Sequence, residues 1–163
     1  MEASMKYSTR LSDAVHILTL IALNESPTLS SGAIAESIHT NPSYVRQFMA
    51  KLKKSGLINS YQGQAVPALS RKAEEITLLE IYKAVEGDKP LLHLDTHTNP
   101  LCQVGVNIQL ALQEYYDKIQ HSAEEDMSRI TLQNVIDGYH AKLQTHFTKE
   151  ELYLLERLQD TFG

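Results

Sequence analysis

The sequence predicts a mainly α-helical chain carrying one small β-hairpin. Three observations predict it. Apolar residues recur at three- and four-residue steps over several segments, the period of a helix with one buried face. Cap residues and glycines punctuate those segments at helix ends. One stretch, "LINSYQGQAVPALS", reads instead as two short extended runs about a Gln62–Gly63–Gln64 turn.

The elements follow in order. The first helix is predicted over about Ser8 to Asn24, with Leu11, Ala14, Val15, Leu18, Ile21 and Ala22 inward. His16, on the same helix, reads as a hydrogen-bonded core or hinge residue. Pro27 breaks the chain, and a short helix from about Ser31 to Ser37 buries Ile34, Ala35 and Ile38. In "HTNPSY", Asn41 is a good N-cap and Pro42 suits the first helical position. Val45, Phe48, Met49 and Leu52 then face inward. Ser43, Tyr44, Arg46, Gln47, Ala50, Lys51 and Lys54 face solvent, and Gly56 ends the helix. In the hairpin, Pro67 marks an edge strand. Thr77 and Glu80 have capping-box spacing for the next helix, which Gly87 closes. A loop leads to a long helix of about Pro100 to Glu125, capped by Asn99. A short helix from Thr131 to His140 follows. The last has Thr148 and Glu151 as capping box and Leu152, Leu155 and Leu158 as apolar face. The predicted division is residues 1–88, a hairpin-bearing domain; 89–143, a loop and helices; and 144–163, a helical extension.

At 163 residues the chain suits one ordinary domain, or a small domain with an extension. Its longest apolar run, "AVHILTLIAL", falls short of the roughly 18–20 residues of a membrane span. "MEASMKYSTR" lacks the apolar core of a signal peptide. A cytoplasmic protein without a membrane partner is expected. Cys102 is the single cysteine, which excludes an intrachain disulfide and a multi-thiolate metal site. Charge is lopsided. Residues 1–72 hold eight Lys/Arg and four Asp/Glu; residues 73–163 hold seven and sixteen, so +4 faces −9 in a chain of net −5. A polyanion would meet the first half only.

Helix, short helix, capped basic helix and hairpin, in that order, make a winged helix-turn-helix. The second helix of such a pair presents its first turns to base edges in the major groove. Asn41, Ser43, Tyr44, Arg46 and Gln47 occupy that position. Arg and Gln suit bidentate readout of guanine and adenine, and Lys51 and Lys54 are placed for backbone phosphate. Gln62 and Gln64 at the wing tip are candidates for the minor groove or its phosphates. On the long helix Leu101, Val104, Ile108, Ala111, Leu112, Tyr115 and Ile119 form a narrow stripe, the pattern of a seam between two copies.

Four segments in this order, "YSTRLSDAVHILTLIAL", "SSGAIAESIHTNPSYVRQFMAKLKKSGLI", "EITLLEIYKAVEG" and "NPLCQVGVNIQLAL", resemble the Rrf-two family of bacterial winged helix-turn-helix transcription regulators, to which IscR, NsrR and CymR belong. Within it the likeness is to the YwnA-like branch, and it spans roughly Lys6 to Tyr139. The resemblance implies a homodimeric repressor of a palindromic operator, with the long helix as dimer interface. It places Tyr7, Ser8, Thr9 and Arg10 at the start of the first helix near phosphate, with Ser30 and Ser31. Two departures stand out. "QGQAVPALS" replaces the "GG-aromatic" wing of many members. "LLHLDTHTNPLC" has one cysteine where cluster-binding members have three, so no iron–sulfur cofactor is expected.

With Asn99 as cap, Cys102 falls in the first turn of the long helix. It is the candidate sensor of a redox or small-molecule signal, its alternative being a small hydrophobe packing the loop. His93, His97 and Cys102 are possible metal donors in kind, but the two histidines share no predicted helix and no metal is assigned. No P-loop, dinucleotide loop or "HExxH" is present, so no enzyme is predicted. The reading is a DNA-binding transcription regulator. The rival is a winged-helix module whose basic helix docks an acidic protein; discrimination between DNA sequences separates the two.

Overall fold

Helix α1 (Arg10–Leu23) turns Ala14, Ile17, Leu18 and Ile21 inward, with Leu11 and Val15 packed beside them. Ile17 replaces the expected Ala22, which is exposed. The computed structural model describes residues 8–59, 66–144 and 148–160, and among the last the side chains of 155 and 158–160 lie outside it. Helix α2 (Ser31–Ser37) buries Ile34 and Ala35. A turn with His39 at φ 52° leads to α3 (Pro42–Lys54). Val45, Phe48 and Leu52 are buried there, and Met49 partly. Gly56, at φ 70°, reverses the chain where a side chain would be strained.

Strands β1 (Ile58–Asn59) and β2 (Ala68–Leu69) pair antiparallel, Ile58 opposite Leu69 and Asn59 opposite Ala68. The hairpin turn lies outside the described residues. Pro67 sits just before β2, where its missing N–H costs nothing. A 3-10 turn (Ala73–Glu75) precedes α4 (Leu78–Glu86), whose predicted capping box is present: Thr77 Oγ1 accepts from the Glu80 N–H and Glu80 Oε2 from the Thr77 N–H. Helix α4 adds Ile81, Tyr82 and Val85 to the buried set and packs on α1 and α3.

Helix α5 spans Gln103–Arg129, beginning later and ending later than expected, and buries nothing fully. The chain then returns. The Leu78 N–H donates to Ile130 O and the Leu132 N–H to Ile76 O, both at 2.8 Å, so the start of α6 (Leu132–Gln144) is zipped to the start of α4. Leu132 and Ile136 enter the same core as α1, although the predicted division puts them after residue 88. Helix α7 (Lys149–Asp160) carries the expected Thr148–Glu151 capping box and is tied to α6 by Lys142 and Glu151. Among the described residues no helix is long and apolar enough to cross a membrane.

Candidate nucleic-acid interface

The basic helix is positioned by its caps and its buried face. Ser30 Oγ accepts from the Ala33 N–H at 3.1 Å and starts α2; Asn41 Oδ1 accepts from the Tyr44 N–H at 2.9 Å and starts α3. Both side chains are thus occupied by helix capping. With Val45, Phe48 and Leu52 inward, Ser43, Arg46, Gln47, Ala50 and Lys54 are exposed. Arg46 Nη1 reaches Ser31 Oγ at 3.4 Å, so the structure brings together two of the predicted contacts from different helices. Helix α3 carries no acid to oppose an incoming phosphate.

Tyr44 departs from expectation. It is half-buried instead of solvent-facing, its ring lies 4.6 Å from that of Phe48, and its hydroxyl donates to Asp13 Oδ2 at 2.8 Å. Burial and then the Asp13 carboxylate hold the phenol protonated, its pKa pushed up to about 12. Tyr44 therefore braces α3 against α1. Lys51 is exposed as expected, and its amine donates to Val85 O at 3.4 Å and lies 5.9 Å from the Phe48 ring. At the start of α1, Thr9 Oγ1 donates to Asp13 at 3.2 Å, while Ser8 Oγ donates to Glu86 and Arg10 Nη1 lies 3.6 Å from the same carboxylate. The sequence reading missed Asp13 and Glu86. Thr9 and Asp13, four residues apart, gave a local signal; Glu86, far along the chain, gave none. Tyr7, Gln62 and Gln64 lie outside the described residues.

The predicted seam is exposed along α5. Leu101 is 90% and Val104 77% exposed, and Ile108, Ala111, Tyr115 and Ile119 are exposed as well, with Leu112 partly so. Helix α5 meets the rest of the chain on another side, through Lys83–Glu124 at 3.5 Å and a Leu91 N–H donating to Gln120 Oε1 at 2.8 Å.

Cys102, and not Asn99, is the N-cap of α5: its exposed Sγ accepts from the Gly105 N–H at 3.4 Å. Asn99 Oδ1 instead closes a turn by accepting from the Leu101 N–H at 3.0 Å. Gly105 leaves room for Thr98 Cγ2, which a Cβ would meet at 2.5 Å; that close approach lets the loop lie on the helix start. His97 Nδ1 pairs with Asp95 at 3.4 Å, and His93 is exposed. Among the described residues no three His, Cys, Asp or Glu side chains converge as a metal site. His16, exposed on α1, is bonded to Ser37 Oγ at 3.1 Å, so it links two helices without being core.

Residues 7–138 match the Rrf2 family model, described as an iron-dependent transcriptional regulator. The chain is 36% identical over 130 residues to YwnA of Bacillus subtilis (strain 168), named as an HTH-type transcriptional regulator, covering 80% of this chain and 96% of that protein. A crystal structure described as that of a DNA-binding protein superposes with a TM-score of 0.64 at 35% identity, over 78% of this chain and 98% of that one. IscR of T. potens shares the fold, with a TM-score of 0.62 at 24% identity over 89% of this chain and 95% of that one. The residues present do not fit a cysteine-ligated iron–sulfur cluster. The chain has one thiol, and that thiol caps a helix.

Proposed function

The chain belongs to the Rrf2 family of transcriptional regulators, and from that premise we propose that it is a cytoplasmic homodimeric repressor that reads a palindromic operator with the first turns of α3. The observation that carries this reading is the exposed Ser43, Arg46 and Gln47 face, held by the Asn41 cap and by Arg46 on Ser31. Arg46 and Gln47 supply base contacts, Ser43 and the free N–H groups at the helix starts supply phosphate contacts, and Lys54 extends the cationic track. The stripe from Leu101 to Ile119 pairs with its copy and sets the spacing of the two half-sites.

The test is selection from random duplexes at about 150 mM salt, where non-specific phosphate binding is weak. A palindrome with half-sites one or more helical turns apart is the expected product. Salt-sensitive binding with no preferred sequence would instead favour the docking of an acidic protein on α3. Repeating the selection after peroxide treatment, with Cys102→Ser beside wild type, tests Cys102 as the input. The same loss of operator in both chains would remove the thiol from the mechanism.

A further inference from the structure

The start of α1 and the end of α4 meet at a cleft of about 520 Å³ lined by Arg10, Lys51, Lys54, Lys89 and Glu86 among others. Four cations surround one carboxylate. Glu86 holds Ser8 Oγ on one oxygen and Arg10 on the other, and its side chain is 11% exposed. A hydroxyl and a guanidinium on two oxygens of one anion are the partners a phosphate takes. Lys51 is turned to the carbonyl end of α4. The exposed amines of Lys54 and Lys89 have no partner among the described residues. The cleft is thus short of negative charge. Its place is also telling. The cleft lies beside the last turn of α3, at Lys51, Lys54 and Ser55, while the Tyr44–Asp13 bond ties α1 to the first turn of the same helix.

We propose that this cleft seats one backbone phosphate of DNA, that Lys89 is a further phosphate contact, and that Glu86 fills the seat as an internal anion until DNA displaces it from Ser8 and Arg10. The inference rests on the reading of the chain as a DNA-binding regulator. Displacing Glu86 costs the same on any sequence, and the freed carboxylate then stands near a polyanion. The device therefore weakens sequence-blind binding and leaves discrimination to Arg46 and Gln47.

Fluorescence anisotropy of the full chain with a random duplex, over a series of salt concentrations, tests the seat. Glu86→Gln should bind about 3- to 10-fold more tightly at roughly 0.1 M salt. Arg10→Gln should abolish that gain in the double variant. Lys89→Gln should flatten the log–log salt dependence by about 0.9 per seat. Glu86→Gln binding no more tightly than wild type, with its melting temperature kept, would make the Glu86 cluster a plain structural clamp and overturn the proposal. The Lys89 side chain is exposed and makes no bond among the described residues, and its carbonyl, which accepts from the Tyr82 hydroxyl, is kept in the variant, so an unchanged slope in Lys89→Gln overturns its part without a folding artefact. Competition by inorganic phosphate at constant ionic strength would move the seat from DNA to a free anion, which also overturns it. The random duplex reads the seat and a selected palindrome reads the regulator, so a failure of either is seen separately.

Discussion

Helices α1 and α5 both carry apolar stripes, yet they end in opposite environments. In 14 residues α1 buries four side chains fully; in 27 residues α5 buries none. The difference is not in the pattern but in what the pattern meets. Around α1 stand α4, α6 and β2, each presenting an apolar face of its own. Helix α5 leans on α4 and on the loop after it along one side, Glu124 on Lys83 and Gln120 on Leu91, and its Leu101–Ile119 stripe meets water. Exposed apolar area forgoes about 25 cal/mol for every Å² left uncovered, and a continuous patch of this kind marks an interaction surface. One region is complete within its own chain; the other has a face that only a further surface can cover.

The largest effect should come from the element that crosses this division. Helix α6 follows α5 in the chain but places Leu132, fully buried, in the core built on α1. Leu132→Ala should cost about 2–5 kcal/mol, the transfer loss plus the cavity. Urea unfolding is the measurement. The midpoint should fall with little change in slope, and by the same amount at every protein concentration. A midpoint equal to that of wild type would mean that α6 does not dock where it is placed.

The opposite signature is expected on α5. Ile108→Asp removes no buried contact within the chain, so far-UV circular dichroism should be unchanged. Its cost should appear only in association, at about 2 kcal/mol or more for a central apolar position, so that sedimentation should show a monomer for the variant and a dimer for wild type. The melting temperature of wild type should rise with protein concentration and that of the variant should not. A wild type that sediments as a monomer at all concentrations would break the comparison, since the stripe would then have no second copy to cover it.

Most of this architecture was legible in local sequence. Asn41–Pro42, the Thr77–Glu80 box and Gly56 each act within a turn of chain, and each element they bound forms where predicted. The misses are non-local. Ile17 replaces Ala22 on the buried face because α4 and α6 decide which side of α1 is covered. Tyr44 looks like a solvent-facing position on a helical wheel; Asp13, on another helix, draws it inward. Asn99 is a better cap residue than Cys102, yet the Thr98 methyl packed over Gly105 sets the helix start three residues later. The exposed Ser43, Arg46 and Gln47 face proposed to read DNA was legible because it lies on one amphipathic helix. Glu86 opposite Arg10 was not, because 75 residues of chain separate them.

The smallest effect should lie at the joint between the two regions. Thr77 caps α4, and its backbone pairs with Thr131, just after α5. Burial pushes the Glu80 carboxyl up, but the N–H and hydroxyl of Thr77 and the charge of Arg71 outweigh it and hold the pKa below the usual 4.5. A carboxyl depressed in the folded state stabilises the fold above its unfolded pKa and loses that contribution as pH falls through its folded one. Thr77→Ala should therefore cost about 1 kcal/mol near neutral pH. The half-exposed carboxylate keeps the electrostatic share of that cost small. The gap between wild type and variant should narrow below about pH 4.5, as Glu80 takes up a proton in both chains and ceases to hold the helix start. Urea midpoints across that range are the check. A gap that stays constant would assign the whole effect to the Thr77 hydroxyl and none to the carboxylate. A gap that depends on protein concentration would mean that the joint transmits strain into α5, and the two regions would then be coupled where their packing keeps them apart.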